Sequence, residues 1–351
     1  MKFGSDNATG ASDAIIQALI DANAGTTAGY GDDDWCKRAE QRIADTFECD
    51  VRAFFVATGT AANTLALASL VQPWQSILCH AESHIINDES TAPEFITGGA
   101  RMIPLAAGHG KLEPGDLQQY FNSAGTLIPH NSMAGALSIT QSSELGLVYT
   151  PDEVAALAHT AQEHDVRIHM DGARFANAVA AIGCSPAELS WQAGVDVLCL
   201  GATKCGALAA EAVIFFNHGL AEHFAHRRKR TGHLLSKGRL FGAQFEGWLT
   251  NGHWLELAQH ANAMASLLAA NLLDLTGVRL AWPTQANEIF VVMPKSMHAA
   301  LEAAGAVFYE WPESALADHD SLTDAEVLVR LVTSFQTHPD EITAFIETAK
   351  S

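Results

Sequence analysis

The stretch Val166-Arg-Ile-His-Met-Asp-Gly-Ala-Arg174, together with Val195-Asp-Val-Leu-Cys-Leu-Gly-Ala-Thr-Lys204, decides the fold. Each begins with a short apolar run typical of a buried strand, and a charged residue follows that run, Asp171 in one and Lys204 in the other. The two residues are 204 − 171 = 33 positions apart, enough chain for a helix that crosses back to a neighbouring parallel strand. The pattern predicts an α/β fold with Asp171 and Lys204 at one sheet edge.

An amine and a carboxylate placed in this way suit pyridoxal 5'-phosphate. Lys204 would attach the cofactor as a Schiff base, and Asp171 would keep its pyridine nitrogen protonated so that the ring can accept electrons. Each residue alone has a plainer interpretation. An Asp after a strand commonly caps a helix or a turn, and a single Lys is commonly a solvated surface charge. Asp171 and Lys204 together favour binding of pyridoxal 5'-phosphate over these plainer interpretations.

Strand-like and helix-like segments alternate along most of the chain, which predicts a mostly parallel sheet with helices on both faces. Besides the two strands above, we predict strands at 53–57, 76–79, 137–140 and 212–216. We predict helices at 13–24, 35–48, 60–71 and 151–163.

The pattern changes after about residue 240. A long amphipathic helix is predicted over 253–273, followed by strands at 288–293, 306–308 and 328–333 and a last helix at 339–349. We therefore predict a large cofactor-binding domain over residues 1–244, which includes an N-terminal segment 1–12. A small C-terminal α+β domain is predicted over residues 245–351.

The net charge of the chain limits the kinds of molecule that it is expected to bind. The 351 residues include 20 Lys and Arg against 40 Asp and Glu, a net charge of −20, so neither nucleic acid nor an anionic membrane is an expected partner. An anionic cofactor or substrate then needs a local group of positive charges. No apolar run approaches the roughly 18 residues of a membrane span, and residues 1–6 do not begin a secretory signal.

The six cysteines form no CxxC pair and are sparse for this length. They are typical of reduced, buried thiols in a cytoplasmic protein. The sequence predicts no metal site.

The segment Thr58-Gly59-Thr60-Ala-Ala-Asn63 follows a predicted strand and begins a helix. Such a turn presents free backbone N–H groups and the positive end of the helix to a phosphate, although an ordinary glycine turn capped by Thr60 would look the same. His84 follows another strand, so it is expected at the same sheet edge, where its ring could stack on the cofactor or act as a base. With 16 histidines in the chain, most are structural.

The chain resembles the L-threonine aldolases of the β-eliminating lyase group, which are pyridoxal-phosphate enzymes of fold type I. The likeness extends over essentially the whole chain and is greatest to the bacterial low-specificity enzymes, with phenylserine aldolase a near relative. The matching segments are Phe3-Gly-Ser-Asp6, Tyr30-Gly-Asp-Asp33, Gly59-Thr-Ala-Ala-Asn63, the His84 segment, His169-Met-Asp-Gly-Ala-Arg174, Gly201-Ala-Thr-Lys204, Ala207-Leu-Ala-Ala-Glu-Ala212 and Arg330-Leu-Val-Thr-Ser334.

The resemblance implies a role for each candidate residue. Lys204 would carry the cofactor, Asp171 would pair with the ring nitrogen, Gly59 and Thr60 would hold the phosphate, and His84 would lie over the ring. The substrate carboxylate would be bound by Ser5, Arg174 and Arg330. Two arginines suit that task, because a guanidinium binds a carboxylate through two parallel hydrogen bonds.

The resemblance also implies a role for a basic run, Arg227-Arg-Lys-Arg230, with Lys237 and Arg239 after it. Relatives place basic residues here against the phosphate of a neighbouring subunit, and we expect Lys229 or Lys237 to do so. A charge run is otherwise most often a solvated face. Active assemblies are accordingly expected to be homo-oligomers, as dimers of dimers.

One segment departs from the family pattern. Many relatives have Thr-His-Asn-Gly near the active site, whereas the corresponding stretch here is Thr140-Gln-Ser-Ser-Glu-Leu-Gly146, without a histidine. The base for the substrate hydroxyl is then His84, water or another group, and the missing ring leaves room for a larger substituent.

The expected reaction is retro-aldol cleavage of L-threonine, allo-threonine, phenylserine or a related amino acid to glycine and an aldehyde. The alternatives are β-elimination or a transaminase-like reaction on the same scaffold, and a catalytically silent binding protein. A nicotinamide-binding fold is excluded, because no G-x-G-x-x-G follows a strand.

Overall fold

The computed structural model describes residues 1–105, 110–123, 127–317 and 319–350. Within these ranges the helices are α1 (Asp13–Ala22), α2 (Asp34–Phe47), α3 (Gly59–Leu70), α4 (His84–Asn87), α5 (Ala92–Thr97), α6 (Pro114–Ser123), α7 (Pro151–Gln162), α8 (Phe175–Ile182), α9 (Phe224–Arg230), α10 (Arg239–Leu249), α11 (His253–Leu273), α12 (Lys295–Ala303) and α13 (Pro339–Ala349). The strands are β1 (Arg52–Val56), β2 (Gln75–His80), β3 (Arg101–Leu105), β4 (Met133–Thr140), β5 (Arg167–Gly172), β6 (Val197–Gly201), β7 (Glu211–Phe215), β8 (Arg279–Leu280), β9 (Glu288–Pro294), β10 (Tyr309–Glu310) and β11 (Glu326–Val332).

Seven strands form the larger sheet, in the order β1-β7-β6-β5-β4-β2-β3. The pairs β2–β3, β2–β4, β4–β5 and β5–β6 are parallel, while β7 is antiparallel to both β1 and β6. The mostly parallel sheet is thus confirmed, and the strands that precede Asp171 and Lys204 are parallel neighbours. Strands β6 and β7 are buried along their whole length, which explains why their sequences are apolar apart from Glu211 at the start of β7.

Four antiparallel strands form the smaller sheet, in the order β10-β11-β9-β8. Its apolar core is shared with helices α11 and α13, through side chains such as Leu268 and Phe345. Both helices have the predicted bounds. The strand predicted at 306–308 is displaced to β10, because Val307 instead forms an isolated bridge with Lys2.

The first residues of the chain pack with this smaller sheet. Phe3 is fully buried in its core and lies edge-on to Phe345, with ring centroids 5.2 Å apart. The Phe3 N–H donates to the Val307 carbonyl (2.8 Å), and the Phe3 carbonyl accepts from the Val332 N–H (2.7 Å). The division near residue 245 stays a prediction.

Several elements had no prediction, and two of them matter for the packing of the larger sheet. Strand β3 extends the larger sheet beyond β2, and helix α10 packs against α1 and α2. At Gly242 a side chain would collide with the backbone of Trp35 and Cys36, so a glycine permits this close helix contact.

All six cysteines are free. Across the described ranges, no helix combines the length and the apolar character needed to cross a bilayer.

Candidate active site

A cavity of ≈ 1060 Å³ lies where the parallel strands β2, β4, β5 and β6 end. This edge is where ligands bind in open α/β sheets. The structure brings together eight of the predicted site residues in the cavity wall: Ser5, Gly59, Thr60, His84, Asp171, Arg174, Lys204 and Arg330. Lys229 and Lys237 are not among the residues of that wall.

Asp171 is buried at the end of β5, and both of its carboxylate oxygens accept hydrogen bonds. Oδ1 accepts from the Ala173 N–H (3.0 Å), and Oδ2 accepts from Asn63 Nδ2 (2.7 Å). The carboxylate is therefore fixed in orientation at the cavity wall. Asn63 had no predicted role, although it lies one helical turn after Gly59 in a segment that was singled out.

Lys204 is half-buried in a short turn, Thr203–Cys205, that follows β6. The Thr203 hydroxyl donates to Glu211 Oε1, and Glu211 also lines the cavity. Burial raises the pKa of Glu211 to about 7, while the hydrogen bond from Thr203 and the positive charge of Lys204 act in the opposite direction. Glu211 was missed as a site residue. An acid at the start of the apolar strand β7 was the signal that could have found it.

His84 begins helix α4, and its ring nitrogen Nδ1 lies 3.0 Å from Glu89 Oε1. This hydrogen bond raises the pKa of His84 above its usual value. Glu89 is buried, and the same oxygen accepts from Asn63 Nδ2 (2.9 Å). His84, Glu89, Asn63 and Asp171 thus form a continuous hydrogen-bonded chain, which we call the Asn63 network.

The N-terminus of α3 faces the cavity through Gly59 and Thr60. The Thr58 hydroxyl caps the helix by accepting from the Ala61 N–H (3.1 Å), so the first two N–H groups are left for an anion. A Cβ placed on Gly59 would meet no atom within 4 Å, which shows that the turn faces open space. This arrangement fits a phosphate group.

The two predicted carboxylate-binding arginines are in different surroundings. Arg174 donates from Nε and Nη2 to Asp6 (2.8 and 3.1 Å), and its Nη1 lies 3.1 Å from Glu288 Oε2. Arg330 lies farther from Glu288, with Nη1 to Oε1 at 3.7 Å, and stacks on Trp311 with its guanidinium carbon 4.2 Å from the ring centroid. Its Nε has no acceptor among the described residues. Arg330 therefore makes fewer hydrogen bonds within the chain than Arg174 does.

Glu288 is the buried carboxylate between these arginines. Burial raises its pKa, and the charges of Arg174 and Arg330 act in the opposite direction. Neither oxygen makes a hydrogen bond of good geometry with the described residues. Arg174, Arg330 and Glu288 together form a charged part of the cavity wall.

The basic run lies only partly on the surface, since Arg228 is half-buried and donates to the Phe55 carbonyl (3.2 Å). Lys229 and Lys237 are exposed, and Lys229 Nζ lies 5.0 Å from the centroid of the Tyr30 ring. Since neither lysine reaches the cavity of its own chain, any contact with a phosphate needs a second chain.

The groups present fit pyridoxal 5'-phosphate. An amine, a fixed carboxylate and the free N–H groups of a helix N-terminus face one cavity, as the aldehyde carbon, the pyridine nitrogen and the phosphate of that cofactor require.

The chain is similar in sequence to known proteins. The low specificity L-threonine aldolase of Pseudomonas aeruginosa is 43% identical over 308 residues, 88% of this chain and 88% of that protein. The low specificity L-threonine aldolase of Saccharomyces cerevisiae is 25% identical over 289 residues, 82% of this chain and 72% of that protein.

Solved structures of other proteins have a similar fold. Leishmania major threonine aldolase has a TM-score of 0.91 at 29% identity, with 99% of this chain and 98% of that chain covered. Sphingomonas wittichii serine palmitoyltransferase, with a TM-score of 0.72 at 15% identity over 100% and 86% of the two chains, shares the fold. A family model described as beta-eliminating lyase matches residues 2–296. The chain therefore belongs to the beta-eliminating lyase family.

Proposed function

We propose that this protein is a pyridoxal 5'-phosphate-dependent aldolase that cleaves L-threonine and related β-hydroxy-α-amino acids to glycine and an aldehyde. The observation that carries the proposal is the placement of Lys204, Asp171 and the N-terminus of α3 around one cavity. The relatives support the choice of reaction, since proteins of up to 43% identity are named L-threonine aldolases.

Each cofactor contact has a residue suited to it. Lys204 would attach the cofactor, Asp171 would pair with the pyridine nitrogen, and Gly59 and Thr60 would bind the phosphate through their N–H groups. His84 would lie over the ring. When bound, pyridoxal phosphate supplies an electron sink for the electron pair released from the Cα–Cβ bond.

The substrate carboxylate would bind chiefly to Arg330. The donors of Arg174 are directed at Asp6 and Glu288, so Arg174 acts mainly by holding the wall in place. Ser5 precedes Asp6 and lines the same cavity, where its hydroxyl can add a hydrogen bond. Fixing the carboxylate orients the bond to be broken, and orientation accounts for much of the rate of such reactions.

The test is the variant Lys204→Ala. We expect it to lose both the visible absorption of the bound cofactor and the release of glycine and aldehyde from L-threonine, allo-threonine and phenylserine. Both products are to be quantified, because glycine distinguishes aldol cleavage from elimination.

A matched control is Lys295→Ala, which removes an exposed lysine that donates to the Asp324 carbonyl. It should keep both signals. Retained cleavage in Lys204→Ala contradicts the assignment of Lys204. Pyruvate and ammonia without glycine from the unmodified protein contradict the aldolase reaction and favour the β-eliminating alternative.

We further propose that the active form is a homo-oligomer, a dimer of dimers, in the cytoplasm. The oligomer is supported by the position of Lys229 and Lys237, which are exposed and do not line the cavity of their own chain. The compartment is supported by the six free cysteines, since disulfides are rare in the cytoplasm. We also retain a domain boundary near residue 245.

A further inference from the structure

Glu144 is a cavity-lining carboxyl without a role in the scheme above. It follows β4 and is held in place through one oxygen: Oε1 accepts from the His84 N–H (2.8 Å) and from the Thr140 hydroxyl (2.7 Å). Both donors bind that oxygen, and no other side chain or backbone N–H of the described residues, apart from the N–H of Glu144 itself, binds the carboxyl group. Glu144 is partly exposed, and its hydrogen bond from the His84 N–H places it next to His84 in the cavity wall.

Four other buried acidic side chains of the cavity are less free to react, and one of them, Glu89, already accepts from Asn63 and binds the His84 ring. Both oxygens of Asp171 accept hydrogen bonds. Glu288 lies between two guanidinium groups, and Glu211 accepts from Thr203. Glu144 instead combines a position fixed through Oε1 with partial exposure at the cavity wall.

Its protonation equilibrium also suits proton transfer. Burial raises the pKa of Glu144 to about 7, with the His84 N–H and the Thr140 hydroxyl acting against that increase. A base whose pKa is near the working pH is present in its ionised form and still binds a proton firmly. By contrast, the hydrogen bond to Glu89 raises the pKa of His84, which leaves less of the neutral imidazole to accept a proton.

We propose that Glu144 is the catalytic base that takes the proton from the substrate β-hydroxyl. The inference rests on the proposed aldolase function. The O–H and Cα–Cβ bonds break, the hydroxyl oxygen forms the aldehyde C=O bond with its own electron pair, and the proton passes to Oε2. The cofactor, when bound, would accept the Cα–Cβ electron pair. Cα then takes up one proton to give glycine, so the overall reaction consumes no acid or base.

The first test is Glu144→Gln, which keeps an oxygen to accept from His84 and Thr140 but cannot take a proton. We expect kcat for aldol cleavage to fall by about 10²–10⁴, the usual contribution of general acid–base catalysis. Exchange of the glycine α-hydrogen with deuterated solvent should stay close to the unmodified rate, because that reaction involves no hydroxyl group. If Glu144 had only a structural role, Glu144→Gln would either keep both the cleavage rate and the exchange rate high or reduce the two together.

A second test is chemical rescue. Glu144→Ala opens a space beside Thr140, and added formate should restore part of the cleavage rate in that variant but not in Glu144→Gln, whose side chain fills the space. The absence of rescue, together with normal cleavage by Glu144→Gln, overturns the proposal.

The pH dependence provides a separate readout. Since the base must be ionised, cleavage should fall as the pH falls through about 7, the value for Glu144. The residues that interact electrostatically or by hydrogen bonding with Glu144 are Cys79, His84, Thr140, Tyr149 and Asp171. Glu144→Gln should flatten this limb of the profile.

Glu211→Gln is the matched control, since burial raises the pKa of Glu211 to about 7 in the same cavity. In infrared spectra of the cofactor-free proteins, each variant should lose part of the protonated-carboxyl band that grows as the pH falls through that value. Only Glu144→Gln should lose the acid limb of cleavage. A flat profile in Glu211→Gln and a retained limb in Glu144→Gln would assign the base to Glu211 instead.

These outcomes separate the inference from the proposed function. If the unmodified protein releases no glycine from any β-hydroxy amino acid, the aldolase reaction itself is wrong. If it does and Glu144→Gln cleaves at the same rate with the same pH profile, the reaction stands and the role of Glu144 is wrong.

Discussion

Asn63 donates its two amide hydrogens to two different carboxylates, Asp171 and Glu89. A neutral donor between two buried acids satisfies one acceptor of each without adding a charge. It also ties the position of His84 to that of Asp171, since Glu89 binds the His84 ring. We infer that Asn63 is a positioning residue for the groups on either side of the cofactor.

The variant Asn63→Ala tests this role. It leaves both carboxylates without their shared donor, and an unsatisfied buried acceptor costs about 1–3 kcal/mol. We expect a lower free energy of unfolding of the cofactor-free protein, and a several-fold weaker cofactor affinity measured by titration of the visible absorption.

Asn177→Ala is the control. Asn177 is similarly buried, and its Nδ2 donates to Asn262 Oδ1 at the contact of α8 with α11. This control should lose stability while its cofactor affinity stays unchanged. Equal losses of affinity in both variants would show that the effect of Asn63 is one of general stability.

Sequence reasoning at the scale of residues found the groups that follow strands and missed their partners. Asp171, Lys204 and His84 were predicted because each comes after a strand of one parallel sheet. Asn63 was missed as a partner of Asp171, which is 108 residues away, because such a contact depends on how α3 packs on the sheet. Glu288, which lies against both arginines, comes from the smaller sheet and is equally remote.

Helix α3 shows how one element can have a structural and a binding function. Its twelve residues are largely buried beside the larger sheet, and its N-terminus faces the cavity. Because its first N–H groups have no partner within the helix, a phosphate there would accept hydrogen bonds from them. The sequence predicted this helix at 60–71, within one residue at each end, but with Thr60 as the possible cap, whereas the structure has Thr58 as the N-cap.

The variant Thr58→Ala tests the coupling. Loss of an N-cap hydroxyl costs about 0.5–2 kcal/mol, and here it also frees the Ala61 N–H and loosens the turn that would bind phosphate. We expect a lower melting temperature together with a several-fold weaker affinity of the cofactor-free protein for inorganic phosphate, measured by calorimetry.

Thr150→Ala is the matched control, because Thr150 caps α7 by accepting from the Glu153 N–H at a distance from the cavity. Its melting temperature should fall while its phosphate affinity is retained. If Thr58→Ala binds phosphate as tightly as Thr150→Ala does, the turn at Gly59 is not the phosphate site.

The elements that sequence reasoning misplaced have a common cause. Strand β10 begins three residues after the predicted start because Val307 pairs with Lys2 from the other end of the chain. Helix α10 was not predicted, and its sequence includes Gly242, where a close contact with α2 takes precedence over helix propensity. In both cases a long-range contact outweighs the local preference.

At the scale of the whole molecule, the cavity wall joins distant parts of the chain. Asp6 comes from the N-terminal segment, Arg174 from the loop after β5, and Glu288 and Arg330 from the smaller sheet. Removing one member of such a buried charged cluster is costly, about 3–5 kcal/mol in comparable cases, because the others are left unpaired. The part of the cavity wall that we propose for the substrate carboxylate therefore depends on the two sheets keeping their relative position.

The basic run extends this dependence to a second chain. Net charge is −20, so an anionic phosphate needs nearby positive groups, yet Lys229 and Lys237 do not line the cavity of their own chain. In a dimer, one of these lysines could reach the phosphate site of its partner. If so, Lys204 and that lysine act in the same site but come from different chains.

Hybrid dimers test this arrangement. Consider a dimer in which the first protomer carries Lys204→Ala and the second carries Lys229→Ala. If each site combines Lys204 of one protomer with Lys229 of the other, one of the two sites is intact. It contains Lys204 of the second protomer and Lys229 of the first. Random 1:1 mixing after reversible dissociation should therefore restore about a quarter of the cleavage rate of the unmodified enzyme. The same experiment with Lys237→Ala identifies which lysine is involved. If both lysines acted within their own chain, every site in the hybrid would carry a defect, and the mixture would show no more activity than the sum of the two parents.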